Sequence, residues 1–91
     1  MTAGDVPLLP RGVRWRWDAV RGTHVLLGPE RALMLDEIGH AVIAEVDGTT
    51  DLAGIAARLA ERYGAPEEVI REDVAEFLGS LVATRLVEIR P

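Results

Sequence analysis

HVLLGPERALMLDEIG, residues 24–39, decides the architecture. Two short apolar runs, residues 23–27 and Ala32–Leu35, meet across Gly28-Pro29-Glu30-Arg31, where Pro29 is pre-set for the first central position of a tight turn. The second run feeds straight into a helix start, with Asp36 placed as its N-cap. A hairpin that hands over to a helix without a linker fixes the order of everything around it.

Upstream, residues 13–18 alternate: Val13, Trp15 and Trp17 fall on one side, and Arg14, Arg16 and Asp18 on the other. A period of two marks a half-buried strand, and the parity predicts both tryptophans in the core. Residues 19–22 supply its turn, so the three runs form an antiparallel meander whose last strand, Ala32–Leu35, is short and lies at an edge. Residues 1–12 are expected as an extended N-terminal arm, its proline-punctuated part Val6–Gly12 extended or loosely ordered.

Downstream the pattern is helical. Ile38, Val42, Ile43 and Val46 supply the apolar positions of a first helix that ends near Val46. Thr50 or Asp51 opens a second, with Leu52, Ile55, Ala56, Leu59 and Tyr63 at i, i+3, i+4, i+7 and i+11, and Gly64 ends it. Pro66 is suited to the first helical position of a third helix, residues 66–84, with Glu67 and Glu68 favoured in the first turn by the dipole. Ile70, Val74, Phe77 and Leu81 form one apolar line there, with Val69, Leu78 and Val82 beside it. Residues 86–90 can add a last extended piece. The predicted fold is α+β: a three-stranded antiparallel sheet followed by three helices, winged helix-turn-helix-like, in a single domain over residues 1–91.

Composition excludes several functions. With 48% hydrophobic and 27% charged residues the chain builds a core and does not read as disordered. It has no cysteine, which removes disulfides, thiolate metal sites and cysteine catalysis together. No apolar run approaches the roughly 20 residues that span a bilayer, and the start lacks the pattern of a signal peptide. A cytoplasmic protein without membrane contact is the expectation. All ten basic residues are arginine, which reads as genomic composition rather than as a phosphate-binding device. Residues 11–31 carry five arginines against two acids, whereas residues 32–84 carry three against eleven.

Catalysis fails on inventory. His24 lies in a strand and His40 in a helix, and the only serine, Ser80, lies mid-helix with no strand–turn–helix elbow. Glu68, Glu72 and Glu76 follow at i, i+4 spacing, but acid–base work needs burial to split their pKa values, and these line a solvated face. The acidic third helix would oppose phosphate, which argues against DNA binding by it. The short edge strand is different. Apolar on both faces, it leaves Met34 or Ala32 to find cover outside the domain, and its free backbone groups can pair with an incoming peptide. The same edge, or an exchange of the N-terminal arm, could serve a homodimer.

The run VLLGPERALMLDEIG, the segment VDGTTDLAGIAARLAERYGAP and the run EDVAEFLGSLVATRLVE together closely resemble the PqqD family of pyrroloquinoline quinone (PQQ) biosynthesis, over about Leu9 to Glu88. One departure is Glu45-Val46, where many members have Leu-Cys. The resemblance implies a non-catalytic peptide chaperone without cofactor, a recognition element for ribosomally made, modified peptides. It would bind the precursor peptide PqqA and present it to the radical SAM enzyme PqqE, with no nucleic acid involved. It also implies that the peptide adds as a strand to the third strand, in a groove closed by the third helix. On this chain those positions are Arg31, Ala32, Leu33, Met34 and Leu35, faced by Asp73, Val74, Glu76, Phe77, Ser80 and Leu81. A winged-helix DNA-binding protein and a generic interaction module remain the alternatives.

Overall fold

The computed structural model describes all of residues 1–91. The elements run β1 Pro7–Leu8, β2 Arg14–Asp18, β3 Thr23–Leu27, β4 Ala32–Leu35, α1 Glu37–Ala44, α2 Leu52–Tyr63, α3 Glu67–Ala83 and β5 Glu88–Ile89. Strands β2, β3 and β4 form an antiparallel sheet in that order, and β1 pairs with β5 in a separate two-stranded ribbon. The three-stranded sheet followed by three helices is the α+β fold expected. The ribbon is an addition.

Local chemistry explains the element boundaries. Asp36 stands at the N-cap of α1 and accepts the Gly39 N–H at 2.6 Å; Asp51 does the same for α2 through Gly54 at 2.8 Å. Gly64 closes α2 at φ 63°, in the left-handed region open to a residue without Cβ. Pro66 lies one position earlier than the pattern suggested, at the N-cap of α3, and no side chain caps that helix. Asp47 takes the Thr49 and Thr50 N–H groups at 2.9 and 2.8 Å, which shapes the α1–α2 turn and holds its carboxyl well below the usual range. Helix α1 stops at Ala44, two residues short of Val46.

One core joins the layers. Leu26 and Leu35 come from the sheet, Ile43 from α1, Leu52 and Ile55 from α2, Leu78 from α3, and Leu86 and Val87 follow α3 into it. Helices α2 and α3 pack most closely against each other. No helix is long and apolar enough to cross a membrane.

One expectation changes and another is narrowed. Trp15 and Trp17 share the helix-facing side of the sheet with Leu26, as parity required, yet they are 38% and 53% exposed. β2 is an edge strand, on the opposite side of the sheet from β4, against which α1 packs, so the correct face does not bring burial. The tryptophans instead meet histidine rings: Trp15 contacts His40 at 4.7 Å and Trp17 contacts His24 at 5.0 Å, both edge-on. The N-terminal arm, expected as extended or loosely ordered, is held in place. Leu52 and Ala53 at the start of α2 donate their N–H groups to Asp5 O and Ala3 O at 2.8 and 3.0 Å, and β1 pairs with β5. An end-to-end reading of hydropathy has no term for a backbone carbonyl that caps a distant helix.

Candidate functional site

The free edge of β4 can be resolved atom by atom. Gly28 N–H donates to Arg31 O at 2.9 Å, which makes Gly28–Arg31 a hydrogen-bonded pair. Antiparallel pairs alternate between bonded and unbonded. From the register Leu27↔Ala32, Leu26↔Leu33, Val25↔Met34 and His24↔Leu35, the N–H and C=O groups of Leu33 and Leu35 therefore point to β3. Those of Ala32 and Met34 point away from the sheet.

The side chains divide by the same parity. Leu33 and Leu35 face the helices; Leu35 is 3% exposed and belongs to the core, while Leu33 is 36% exposed. Met34, 64% exposed, lies on the opposite face across from Val25. Arg31 and Ala32 are exposed.

Helix α3 runs past this edge while packing on α2 rather than on β4. Two close approaches set its direction. A Cβ on Gly39 would lie 3.4 Å from Phe77 Cζ, and one on Gly28 would lie 2.7 Å from Leu86 Cδ2. The middle of α3 thus meets the Leu35 end of β4, and its C-terminus meets the Arg31 end. Of the helix positions implied by the resemblance, Val74 and Leu81 are core side chains, Phe77 is half-buried, and Asp73, Glu76 and Ser80 are exposed. The Ser80 hydroxyl donates to Phe77 O at 2.6 Å within its own helix.

Beside this cleft lies an apolar cavity of about 360 Å³ between α1, α2 and α3, lined by Ile38, Val42, Leu59, Tyr63, Ile70, Val74 and Phe77 with Asp36 and Asp73 at its polar margin. Periodicity gave Ile38 as an apolar position of the first helix, but it is 55% exposed at the rim of this cavity. Only the placement of α1 against α2 makes Ile38 and Tyr63 walls of one cavity, so neither could be paired from the sequence. No group of three or more His, Cys, Asp or Glu side chains is placed to hold a metal ion. His24 and His40 instead stack on each other, with ring centroids 3.6 Å apart and planes 5° from parallel.

The structure thus has an open strand edge with two outward N–H groups and, nearby, an apolar cavity among the helices. The family model for coenzyme PQQ synthesis protein D, PqqD, matches residues 23–87. The chain belongs to the PqqD family. A PqqA binding protein of Rhizobium meliloti is 45% identical over 98% of this chain and 91% of its own length. The bifunctional coenzyme PQQ synthesis protein C/D of Methylorubrum extorquens is 44% identical over 96% of this chain, which spans 23% of that longer protein. The solution structure of the PqqD truncation of Methylobacterium extorquens PqqCD, described as a functional, stand-alone recognition element for ribosomally synthesized, post-translationally modified peptides, superposes with a TM-score of 0.83. It is 44% identical, covering 96% of this chain and 93% of that one. The crystal structure of PqqD from Xanthomonas campestris matches at 0.60 with 40% identity, covering 94% and 96%. The names these PqqD relatives carry describe binding and recognition.

Proposed function

We propose that this chain is the PqqA-binding protein of a PQQ pathway. It takes the precursor peptide as an added strand on β4, in the cytoplasm, and presents it to the radical SAM enzyme PqqE without cofactor or catalysis of its own. The observation that carries the reading is the outward pair of N–H groups on Ala32 and Met34 in a chain 45% identical to a PqqA binding protein. Each edge bond to peptide is worth about 1 kcal/mol, so backbone pairing supplies affinity and the apolar walls supply selectivity.

In this reading the backbone of Ala32 and Met34, with the Arg31 and Leu33 side chains, forms the strand side of the groove, and Leu35 anchors the strand from the core. Phe77 and Ser80 form the helix side, with Asp73 and Glu76 disfavouring acidic peptide segments next to them. Val74 and Leu81 hold the helix in place from the core. The same edge, or an exchange of residues 1–12, would also serve a homodimer.

Calorimetry with synthetic PqqA, with and without PqqE, tests the proposal. Micromolar or tighter binding, joined into a ternary complex by the enzyme, is the expected result. Absence of heat and of any complex would refute it. Sedimentation of the protein alone across concentration tests the homodimer, and a dimer that dissociates as PqqA is added would put both partners on one edge.

A further inference from the structure

At the Arg31 end of β4 and the C-terminal end of α3 lies a second cavity, of about 310 Å³, with Arg11, Arg31 and Arg85 in its wall against the single carboxylate of Glu30. All three arginines are exposed, and none is engaged: the ion pairs of this chain are Arg21–Asp18 and Arg58–Glu45. The three come from distant parts of the sequence. Gly12, at φ 86°, turns the chain after Arg11 against Pro29, Arg31 opens β4, and Arg85 follows α3.

Arg85 is the only non-glycine residue with positive φ, at 64°. Its N–H bonds to Val82 O at 3.1 Å and the Leu86 N–H bonds to Leu81 O at 2.9 Å, the two bonds of a Schellman helix end, whose left-handed position ordinarily belongs to glycine. A branched cation held there against conformational preference points to use of its side chain.

Resting on the peptide reading above, we infer that Arg11, Arg31 and Arg85 form a carboxylate subsite, so that the peptide paired with β4 carries an Asp or Glu side chain at the Ala32 end. The remainder of the cleft argues for a lone carboxylate on a peptide rather than a polyanion. Asp73 and Glu76 stand further along α3, and Asp36 lies at the far end of β4. A nucleic acid would be repelled over that length, whereas one acidic side chain on an otherwise apolar strand meets three arginines against the one carboxylate of Glu30. A guanidinium–carboxylate pair is directional and can be bidentate, so the subsite would fix the register of the added strand as well as its affinity.

The test titrates synthetic PqqA, and variants with each of its acidic residues changed singly to Lys, against the wild-type protein and against Arg31→Glu, Arg85→Glu and Arg85→Gly. Either arginine reversal should weaken wild-type PqqA about tenfold or more at low salt, with the difference shrinking as salt rises. One acidic position of the peptide should reproduce that loss, and its Lys variant should regain affinity on the reversed protein. Arg85→Gly should raise the unfolding midpoint while lowering peptide affinity, a pair of opposite signs that a structural role for Arg85 would not give. Wild-type PqqA bound equally by all four proteins would overturn the subsite and leave the peptide reading intact. No binding of PqqA to the wild type would overturn both. Arginine-dependent binding of a single-stranded oligonucleotide with PqqA affinity unchanged would assign the cluster to nucleic acid and overturn it as well.

Discussion

His40 sits in an unusual place for an ionisable ring. It stacks on His24, takes the edge of Trp15, and its Nε2 is inaccessible with no hydrogen-bond partner. Burial, then the neighbouring charges of His24 and Arg62, hold its imidazole below the ordinary value of 6.5. The unfolded chain therefore takes up this proton first as pH falls. The stability contributed by neutral His40 is complete above 6.5 and is lost as pH drops from there through the lower folded value. Denaturant unfolding measured from pH 7.5 downwards should show this loss in the wild type, and His40→Phe, which keeps the stack without the proton, should flatten it. An unchanged slope in the variant would exclude His40 as its source. Asp18 and Asp47, both lowered from 3.8, add their own losses only around and below that value, so the two regimes separate. Arg85, the one residue with a side chain at positive φ, should behave in reverse: Arg85→Gly relieves a left-handed side chain and stabilises the fold by about 1 kcal/mol, or roughly 4–8 °C for a domain this size.

Within β4, donor direction turns a substitution into a measurement. Met34 N–H points outward, so Met34→Pro removes a group that no strand of the sheet uses. Leu33 N–H points to β3 in the Leu26 pair, so Leu33→Pro strikes the sheet itself. The expected outcome is a folded Met34→Pro protein that binds PqqA about tenfold more weakly, and a Leu33→Pro protein that fails to fold. Arg58→Ala, on the exposed side of α2 where the arginine meets Glu45 at 3.4 Å, should bind normally. Equal affinities for Met34→Pro and Arg58→Ala would remove the edge from the site. The strand, its length and its place after the Gly28–Arg31 turn were all legible, because turn and cap chemistry is local and written in residue type. Asp36, Asp51 and Gly64 show the same. What escaped was set by neighbours: Trp15 and Trp17 have the right parity but lie on an edge strand where the His40 and His24 rings are what they meet, and Ile38 and Tyr63 become walls of one cavity only when α1 and α2 dock. The outward donors of β4 likewise needed the register, which no single strand carries.

At the scale of the molecule, the N-terminal segment is a structural part that hydropathy undervalues. An α-helix leaves its first four N–H groups without internal partners. In α2, Asp51 serves Gly54, Asp5 O serves Leu52 and Ala3 O serves Ala53, so the arm completes a cap that the helix's own sequence only begins. Thr2 N–H to Asp5 Oδ2 at 2.8 Å holds the arm's turn, and Met1 packs on the core. At the other end of the chain, Arg90 N–H bonds to Val6 O and its guanidinium to Gly48 O, both at 2.8 Å, which ties both termini to the α1–α2 turn. Removing residues 1–5 deletes two helix-capping bonds and the Met1 contact. At about 1 kcal/mol per bond and with a partly compensating gain of water contacts, the loss should be about 2 kcal/mol. For a domain of this size that lowers the unfolding midpoint by on the order of 10 °C. Peptide affinity should not follow. The arm lies against Glu68, Arg71, Glu72 and Ala75, on a different side of α3 from Asp73, Phe77 and Ser80. Thermal unfolding and a PqqA titration on the truncated protein, both run well below its midpoint, separate the two effects. A protein that loses stability and keeps its affinity fits an arm that braces the fold, and a parallel loss of affinity would mean that the brace also sets the position of α3 beside β4.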